Sequence, residues 1–273
     1  MREKNQPKLK RALYDAFDGT GSQKSFVNEL LEDHRGKPLS TDDVLLDCSE
    51  YRIVYRDVTS ATNERTLIAA VIPPGVVCTN TLHTLRPYEF DPSKSDLEDD
   101  PLHSVYERIF TDKELFAALG LINSIPFDFL LKTKIDTHIV MYKFEESQVP
   151  RLTDGDEWFD YIWTRAARLN CYGEAFAEMR ERLGGIEPVV DVSERREVQA
   201  EMDAAAFHAY GLDHEQTAFV LADFHRVQSP RLMDDDYFEL VLEKYEQVAD
   251  QEAEPAAGST PQGRGSSADD ATR

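Results

Sequence analysis

The chain has 273 residues, 41% of them hydrophobic, and carries a net charge of −22, with 30 lysines and arginines against 52 aspartates and glutamates. This apolar content is enough for a real core in one or two domains. The longest apolar run, residues 67–72, is far too short to cross a bilayer, which argues against a membrane protein.

The acidic residues are spread along the whole chain and are not gathered in a tail. One interpretation is an acidic protein that never meets nucleic acid, because phosphate contacts require cations. The interpretation we favour is adaptation to a very salty cytoplasm, where an acidic surface maintains solubility. At molar salt, counterion release contributes little to DNA affinity, so a few well-placed arginines and lysines would suffice for binding.

The three cysteines, Cys48, Cys78 and Cys171, lie far apart and form no CxxC pair, so a thiolate zinc site is not expected. The seven histidines are scattered, without an HxxxH or HxH pair, and no metal site is predicted. An odd number of cysteines, with no signal peptide expected at the basic N-terminus, fits a cytoplasmic location.

Residues 1–50 are mixed and polar, with short helices predicted over residues 7–17 and 25–33. Residues 51–75 then predict a strand, a polar loop, a second strand and a turn. Side chains alternate between faces in the first strand, so Arg52 and Arg56 share one face. The second strand, at residues 66–72, is nearly continuously apolar and is expected to be buried on both faces. The Pro-Pro-Gly sequence that follows ends it, since proline cannot donate to a ladder.

The pattern RxxxRDVTxxxNERTLIAAxIPPG, which begins at Arg52, resembles the target-recognition region of large adenine-specific DNA methyltransferases. These are the fused restriction-modification enzymes and their phage-defence relatives. Further segments resemble the same family in the same order, and together the matches span about residues 51–225: LGLINSIPFDFLLKTK, THIVMYKFEESQVP and RREVQAEMDAAAFHAYGLDHEQTAFVLADF.

Family members carry a catalytic half before this region. It holds a Gly-rich S-adenosylmethionine loop and an Asn-Pro-Pro-Tyr/Phe motif for the flipped adenine. This sequence contains neither motif, nor a GxGxxG, a GxxxxGK or a carboxylate–lysine nuclease pattern. The resemblance therefore implies the DNA-reading half without the chemistry. Residues 1–50 are then either a remnant of the junction to the catalytic half or an ordinary N-terminal subdomain.

Residues 76–85 alternate loosely and are expected to pair back with the second strand as a hairpin. The family carries a Thr or Asn and a short apolar patch after this turn. In this chain Thr79, Asn80, Thr81 and His83 occupy that place. Residues 91–105 are acidic and flanked by prolines, which predicts a surface loop.

A capping box of Thr111 with Glu114 predicts a helix that ends near residue 123. A proline then forces a new start, and a second short helix over residues 127–134 ends in two lysines. A strand is predicted over residues 140–144.

Helices follow in the C-terminal part. Residues 156–183 carry a wide apolar stripe at helical spacing. Ser193 is expected to cap a helix that runs to Tyr210, with Gly211 as its stop.

A capping box of Asp213 with Gln216 predicts the next helix, and residues 234–245 predict the last one. The predicted fold class is α+β. Its predicted segments are an N-terminal polar and helical segment (1–50), a mixed α/β target-recognition module (51–150), a helical segment (151–249) and a disordered acidic tail (250–273).

The residues predicted to contact DNA are polar or cationic and lie in or beside the matched segments: Arg52, Arg56, Thr59, Asn63, Arg65, Thr79, Asn80, His83, Lys132, Lys134 and His138. Arginine can grip a phosphate or a guanine bidentately. The two lysines and His138 could bind phosphate, or they could form a solvated helix end that the macrodipole favours.

Residues that match a family-wide motif cannot all read sequence, because family members recognise different sequences. For Arg56, Asn63 and Arg65 this favours phosphate positioning or loop architecture, with an Arg56–Asp57 ion pair as one structural alternative. Base readout is expected in the parts that differ, residues 79–83 and 86–110.

The resemblance implies a non-catalytic protein that binds double-stranded DNA and presents an adenine to a methyltransferase-domain protein. S-adenosylmethionine would belong to that partner, and no cofactor is expected in this chain. The alternatives are a non-DNA protein-interaction module or a decayed fragment, which the acidic charge supports. A stand-alone nuclease would require a clustered carboxylate–lysine site, and the sequence shows none.

Overall fold

The computed structural model describes Ser22 and residues 47–90, 106–224 and 230–253. Within these ranges eight α-helices pack with a small antiparallel sheet of three strands, so the predicted α+β class is confirmed. The helices predicted over residues 7–17 and 25–33, the acidic loop at residues 91–105 and most of the predicted tail lie outside the described residues.

Three strands form the sheet: β1 (Arg52–Arg56), β2 (Ala69–Ile72) and β3 (Leu82–Leu85). Their order is β2-β1-β3, and both neighbours run antiparallel to β1. The central strand is the most deeply buried of the three, and its Ile53 and Tyr55 belong to the main hydrophobic cluster.

The second predicted strand is shorter and less buried than expected. Pairing is restricted to Ala69–Ile72, which is an edge strand, and Ile68 just before it is 50% exposed. The predicted hairpin of residues 76–85 with β2 is also wrong. β3 pairs with the opposite side of β1, where His83 lies across from Tyr55.

Asparagine side chains occupy the outer edge of β2, which explains why the hairpin does not form there. Asn123 accepts a hydrogen bond from the Ala69 N–H and donates one to the Ala69 carbonyl, both at 3.0 Å. Asn170 makes the same pair of bonds with Val71, again at 3.0 Å. Each side-chain amide therefore takes the place of a peptide unit from a neighbouring strand.

A second, two-stranded ladder follows β3 along the chain. It consists of β4 (Tyr88–Phe90) and β5 (Tyr106–Arg108), which pair antiparallel. The segment predicted to contribute to base readout, residues 86–110, therefore contains a ladder in its described parts.

The predicted capping box at the start of α1 (Asp112–Ile122) is confirmed. Oγ1 of Thr111 accepts a hydrogen bond from the Glu114 amide at 3.2 Å, and the Glu114 carboxylate accepts one from the Thr111 amide at 2.7 Å. The helix packs closely on α4 (Phe159–Asn170) at Gly120, where an added Cβ would lie 2.6 Å from Cγ2 of Ile162.

Helix α2 (Ile125–Lys132) begins two residues earlier than predicted, because its proline sits in the first turn, where a missing N–H costs nothing. A carboxylate from another helix caps it. Oδ1 of Asp203 accepts a hydrogen bond from the Ile125 amide at 2.8 Å, and Oδ2 accepts one from the Tyr237 hydroxyl at 2.6 Å. Complete burial raises the pKa of Asp203, and the charge of Arg65 partly opposes this.

The strand predicted over residues 140–144 is wrong, because these residues belong to helix α3 (Met141–Glu145). Strand-like pairing stops at a single bridge between Val58 and His138. The helical turn places the ring of Phe144 against Tyr55, with centroids 4.7 Å apart. Tertiary packing of this ring outweighs the local β propensity.

The C-terminal helices after α4 are α5 (Ala177–Arg182), α6 (Val192–Ala209), α7 (His214–Phe224) and α8 (Asp235–Ala253). Asp191 caps α6 by accepting a bond from the Glu194 amide at 3.0 Å, so the prediction of Ser193 as the cap is wrong. Gly211 follows α6 with a φ of +69°, which confirms it as the stop.

The bonds between Asp213 and Gln216 confirm the capping box predicted before α7. Helix α8 continues to Ala253, past the predicted start of the disordered tail.

The main hydrophobic cluster combines residues from both segments that the sequence divides at residue 150. Tyr55 and Phe116 from the first segment belong to the same cluster as Phe159, Met179 and Met202 from the second. Residues 51–150 and 151–249 therefore contribute to one core.

No single helix in the described ranges is long and apolar enough to span a membrane. Taken together, helices α1 and α2 are long and apolar enough for a span, but they are bent by 55° relative to each other.

Candidate nucleic-acid interface

The loop between β1 and β2 is held by its own hydrogen bonds. The Arg56 guanidinium donates to Oγ1 of Thr59 at 3.3 Å and to the Arg65 and Thr66 carbonyls at 3.4 and 3.5 Å. Oγ1 of Thr59 donates to the Thr66 carbonyl at 2.6 Å. The side-chain amide of Asn63 donates to the same hydroxyl at 3.4 Å. The first and last residues of the loop are thereby joined.

Arg65 fixes the end of this loop to α2. Its Nε lies 3.4 Å from Oδ2 of Asp128, a carboxylate with no exposed surface. The same carboxylate accepts hydrogen bonds from the amides of Thr66 and Leu67 at 3.0 and 2.8 Å. Arg65 also donates to the Asn123 carbonyl. The carboxylate partner of Arg65 is therefore a residue distant in sequence.

Glu64, the residue before Arg65, anchors the loop to residues 231–233, just before α8. One oxygen, Oε1, accepts hydrogen bonds from the amides of Arg231, Leu232 and Met233 at 2.9, 2.6 and 2.6 Å. Nζ of Lys132 donates to the Glu64 carbonyl at 3.3 Å. The contact of one carboxylate with three consecutive backbone amides could not be predicted from the residues around Glu64 in the sequence.

Arg52 lies inside the protein. It is 2% exposed, and its guanidinium donates to the Val76 carbonyl at 2.7 Å and to the Glu50 carbonyl at 3.3 Å. Its predicted role as a phosphate or guanine contact is therefore corrected: Arg52 holds the segment after the Pro-Pro-Gly turn against β1. A phosphate cannot reach it in this structure.

The cations predicted to cluster after α2 do not share a site. Lys132 points to the Glu64 carbonyl and lies over the ring of Phe224, 3.8 Å from its centroid. Lys134 donates to the Glu146 carbonyl at 2.9 Å and to Oγ of Ser147 at 3.2 Å. His138 turns to a third partner, Asp57.

Asp57 brings together the two predicted histidines at the surface. Nδ1 of His138 lies 3.1 Å from its Oδ2, and Nε2 of His83 lies 3.5 Å from its Oδ1. The histidine side chains are 28% (His83) and 52% (His138) exposed. The predicted Arg56–Asp57 ion pair is absent among the described residues, and we define Asp57, His83 and His138 as the histidine site.

The turn before β3 lies next to this site. Thr79 and Asn80 are exposed, and the Leu82 amide donates to the Thr79 carbonyl at 3.2 Å to close the turn. The Thr81 carbonyl accepts a hydrogen bond from the Asp57 amide at 3.0 Å, which ties the turn to the end of β1. The exposed polar residues of the turn and the histidine site therefore form one surface.

Tyr55 supports this surface from below. Its ring stacks on His83, with centroids 5.0 Å apart, and on Phe144, with centroids 4.7 Å apart. Burial first, and then the charge of Asp57, raises the pKa of the Tyr55 hydroxyl, so the phenol stays neutral at ordinary pH. His83 is thus positioned by an aromatic stack on one side and a carboxylate on the other.

Among the described residues, no group of three or more His, Cys, Asp or Glu side chains is arranged to hold a metal ion. The histidine site can donate and accept hydrogen bonds. Sequence reasoning found both histidines but missed Asp57 as their common partner, because the three residues are far apart in sequence.

Comparison of the chain with models of protein families, with curated proteins and with solved structures finds no match.

Proposed function

We propose that the chain is the sequence-reading part of an adenine-specific DNA methyltransferase or restriction-modification system, and that it binds duplex DNA without catalysing methyl transfer itself. One observation carries the proposal. The polar residues that match the family-wide motif, from Arg52 to Arg65, are engaged in internal bonds, whereas Thr79 and Asn80, in the segment that differs, are exposed. This is the division of roles that a recognition module with a variable target requires.

The exposed turn and the histidine site supply side chains suited to base edges. Asn80 can pair bidentately with adenine in the major groove, and the imidazoles of His83 and His138 can donate to guanine or to phosphate. S-adenosylmethionine would be held by a partner methyltransferase-domain protein. In a protein with a net charge of −22, specific hydrogen bonds at molar salt carry the affinity in place of a basic surface.

The test is enrichment of sequences from a randomised duplex pool in molar KCl, with and without a methyltransferase-domain partner. Enrichment of a short motif with the partner supports a split recognition subunit, and enrichment by the chain alone supports an autonomous reader. Asn80→Ala and His138→Ala are expected to weaken retention about tenfold, the loss of one specific contact. His214→Ala, an exposed histidine on α7, is the matched control and is expected to retain DNA normally.

Absence of enrichment in either arm, from a chain with a cooperative unfolding transition, would overturn the proposal. The second candidate, a protein-interaction module, would then stand. It is favoured by the acidic charge and by Val76 and Val77, which are exposed beside the Pro-Pro-Gly turn.

A further inference from the structure

A cavity of about 510 Å³ lies between the sheet, α1 and the segment that follows α3. Its size is within the range of small-molecule sites. Most of its wall is apolar and comes from these elements: Ile53, Leu85, Leu115, Ala118, Ile122 and Phe144. None of these residues belongs to the histidine site, so the cavity is a second feature with its own chemistry.

Two phenylalanines line the cavity, Phe110 and Phe144. Phe144 is held in place by its stack on Tyr55 and by an edge contact with Phe127 at 5.7 Å. A ring that is already fixed loses little side-chain freedom when a planar ligand packs against it. The wall therefore suits an aromatic ligand.

The mouth of the cavity carries arginines in a chain that is otherwise rich in acid. Arg86 and Arg151 both line it, together with Thr153 and with Glu114, whose carboxylate accepts a hydrogen bond from the Thr111 amide. Arg151 is exposed, and within the described part of the chain its guanidinium has no hydrogen bond or ion pair. Guanidinium groups match the geometry of phosphate oxygens and bind them bidentately. An apolar interior with cations at its rim selects a ligand with a flat apolar end and an anionic end.

We propose that this cavity binds a purine nucleotide, with the base against Phe110 and Phe144 and the phosphate at Arg86 and Arg151. An aliphatic carboxylate would meet the same arginines but would not use the aromatic wall. The nucleotide is either free in solution or an unpaired nucleotide of a DNA strand. The inference goes beyond target recognition, because reading base edges at the histidine site does not require a second pocket.

The experiment is titration calorimetry of the full chain with AMP and GMP, with inorganic phosphate and decanoate as chemical controls. A purine nucleotide is expected to bind, whereas phosphate alone and decanoate are not. A duplex with one bulged purine forms a second arm. Displacement of AMP by this duplex assigns the nucleotide to DNA, and its failure to compete assigns it to the free pool.

Arg151→Gln is expected to weaken AMP at least about tenfold, the cost of losing a charge-assisted contact. Ala118→Phe fills the cavity and is expected to abolish binding, with its unfolding midpoint measured to show that it folds. Arg231→Gln, an exposed arginine before α8, is the matched control and is expected to bind AMP as the unmodified chain does. No binding of either nucleotide, equal binding by Arg151→Gln, or preference for decanoate would overturn the proposal.

Discussion

The carboxylate of Asp128 and the guanidinium of Arg65 form an ion pair at 3.4 Å, with the carboxylate completely buried. Because the same carboxylate accepts hydrogen bonds from two backbone amides just before β2, we expect Asp128→Ala to lower the free energy of unfolding by about 3 to 5 kcal/mol. The substitution leaves both amides without their partner and removes the only carboxylate that pairs with Arg65 in the described part of the chain. Denaturant unfolding at constant salt measures this directly.

Asp136→Ala is the control for that experiment, because the Asp136 side chain is exposed. Its removal is expected to change the free energy of unfolding by less than about 0.5 kcal/mol. If the two substitutions cost the same, Asp128 does not anchor the loop.

Removal of an asparagine from the edge of β2 is expected to loosen that strand. Asn123→Ala leaves the N–H and the carbonyl of Ala69 without partners, which should cost about 1 to 3 kcal/mol. Hydrogen exchange at the Ala69 amide should accelerate more than exchange at the Ile53 amide in β1. Asn80→Ala, on the exposed turn, should leave both rates unchanged. Unchanged exchange at Ala69 in the Asn123 variant would contradict the assignment.

Asp203 predicts a specific pH dependence of stability. Burial raises its pKa in the folded state above the unfolded value of about 3.9, so the folded state binds the proton more tightly. The resulting stabilisation is fully present below about pH 3.9 and is lost as the pH rises through the folded pKa. Asp203→Asn lacks this titration, so its stability relative to the unmodified chain should improve as the pH rises from about 4 towards neutrality.

Urea unfolding at several pH values, with Asp136→Asn as the exposed control, measures the difference. A difference that is constant with pH, or that moves against the variant, would mean that the pKa of Asp203 is not raised.

The close contact between α1 and α4 predicts an overpacking effect. An added Cβ at Gly120 would lie 2.6 Å from Cγ2 of Ile162, so Gly120→Ala is expected to cost about 1 to 3 kcal/mol. In an Ile162→Ala background that methyl group is gone, and the same substitution should cost less. The double-mutant cycle tests this by denaturant unfolding. A coupling energy of zero would place the helices farther apart than in this structure.

Local features were predictable where neighbouring residues decide them. The capping boxes at Thr111 and Asp213 and the stop at Gly211 depend on side chains within a few positions, and the structure has all three. The existence of β1 was also predictable from its own sequence, although its first four residues are all buried and burial does not alternate along it.

Other features depend on partners that the sequence does not reveal. The Asn123 and Asn170 amides take the edge position that a hairpin strand would have filled, and Phe144 packs on Tyr55 and turns the predicted strand into a helix. Arg52 matched a motif but faces inward, where it bonds to the carbonyls of Glu50, just before β1, and Val76, after the Pro-Pro-Gly turn. His83 and His138 could be predicted from the sequence as candidate site residues, but Asp57 could not be predicted as the partner that joins them.

The asparagines along β2 also make the two edges of the sheet different from each other. A second molecule, or an engineered peptide meant to extend the sheet, would have to displace Asn123 and Asn170 before it could pair with β2. The other edge strand of the sheet is β3, next to the exposed turn. A reporter peptide fused to this protein should therefore not be designed to pair with β2. Edge-to-edge polymerisation through β2 is blocked by the side chains of Asn123 and Asn170.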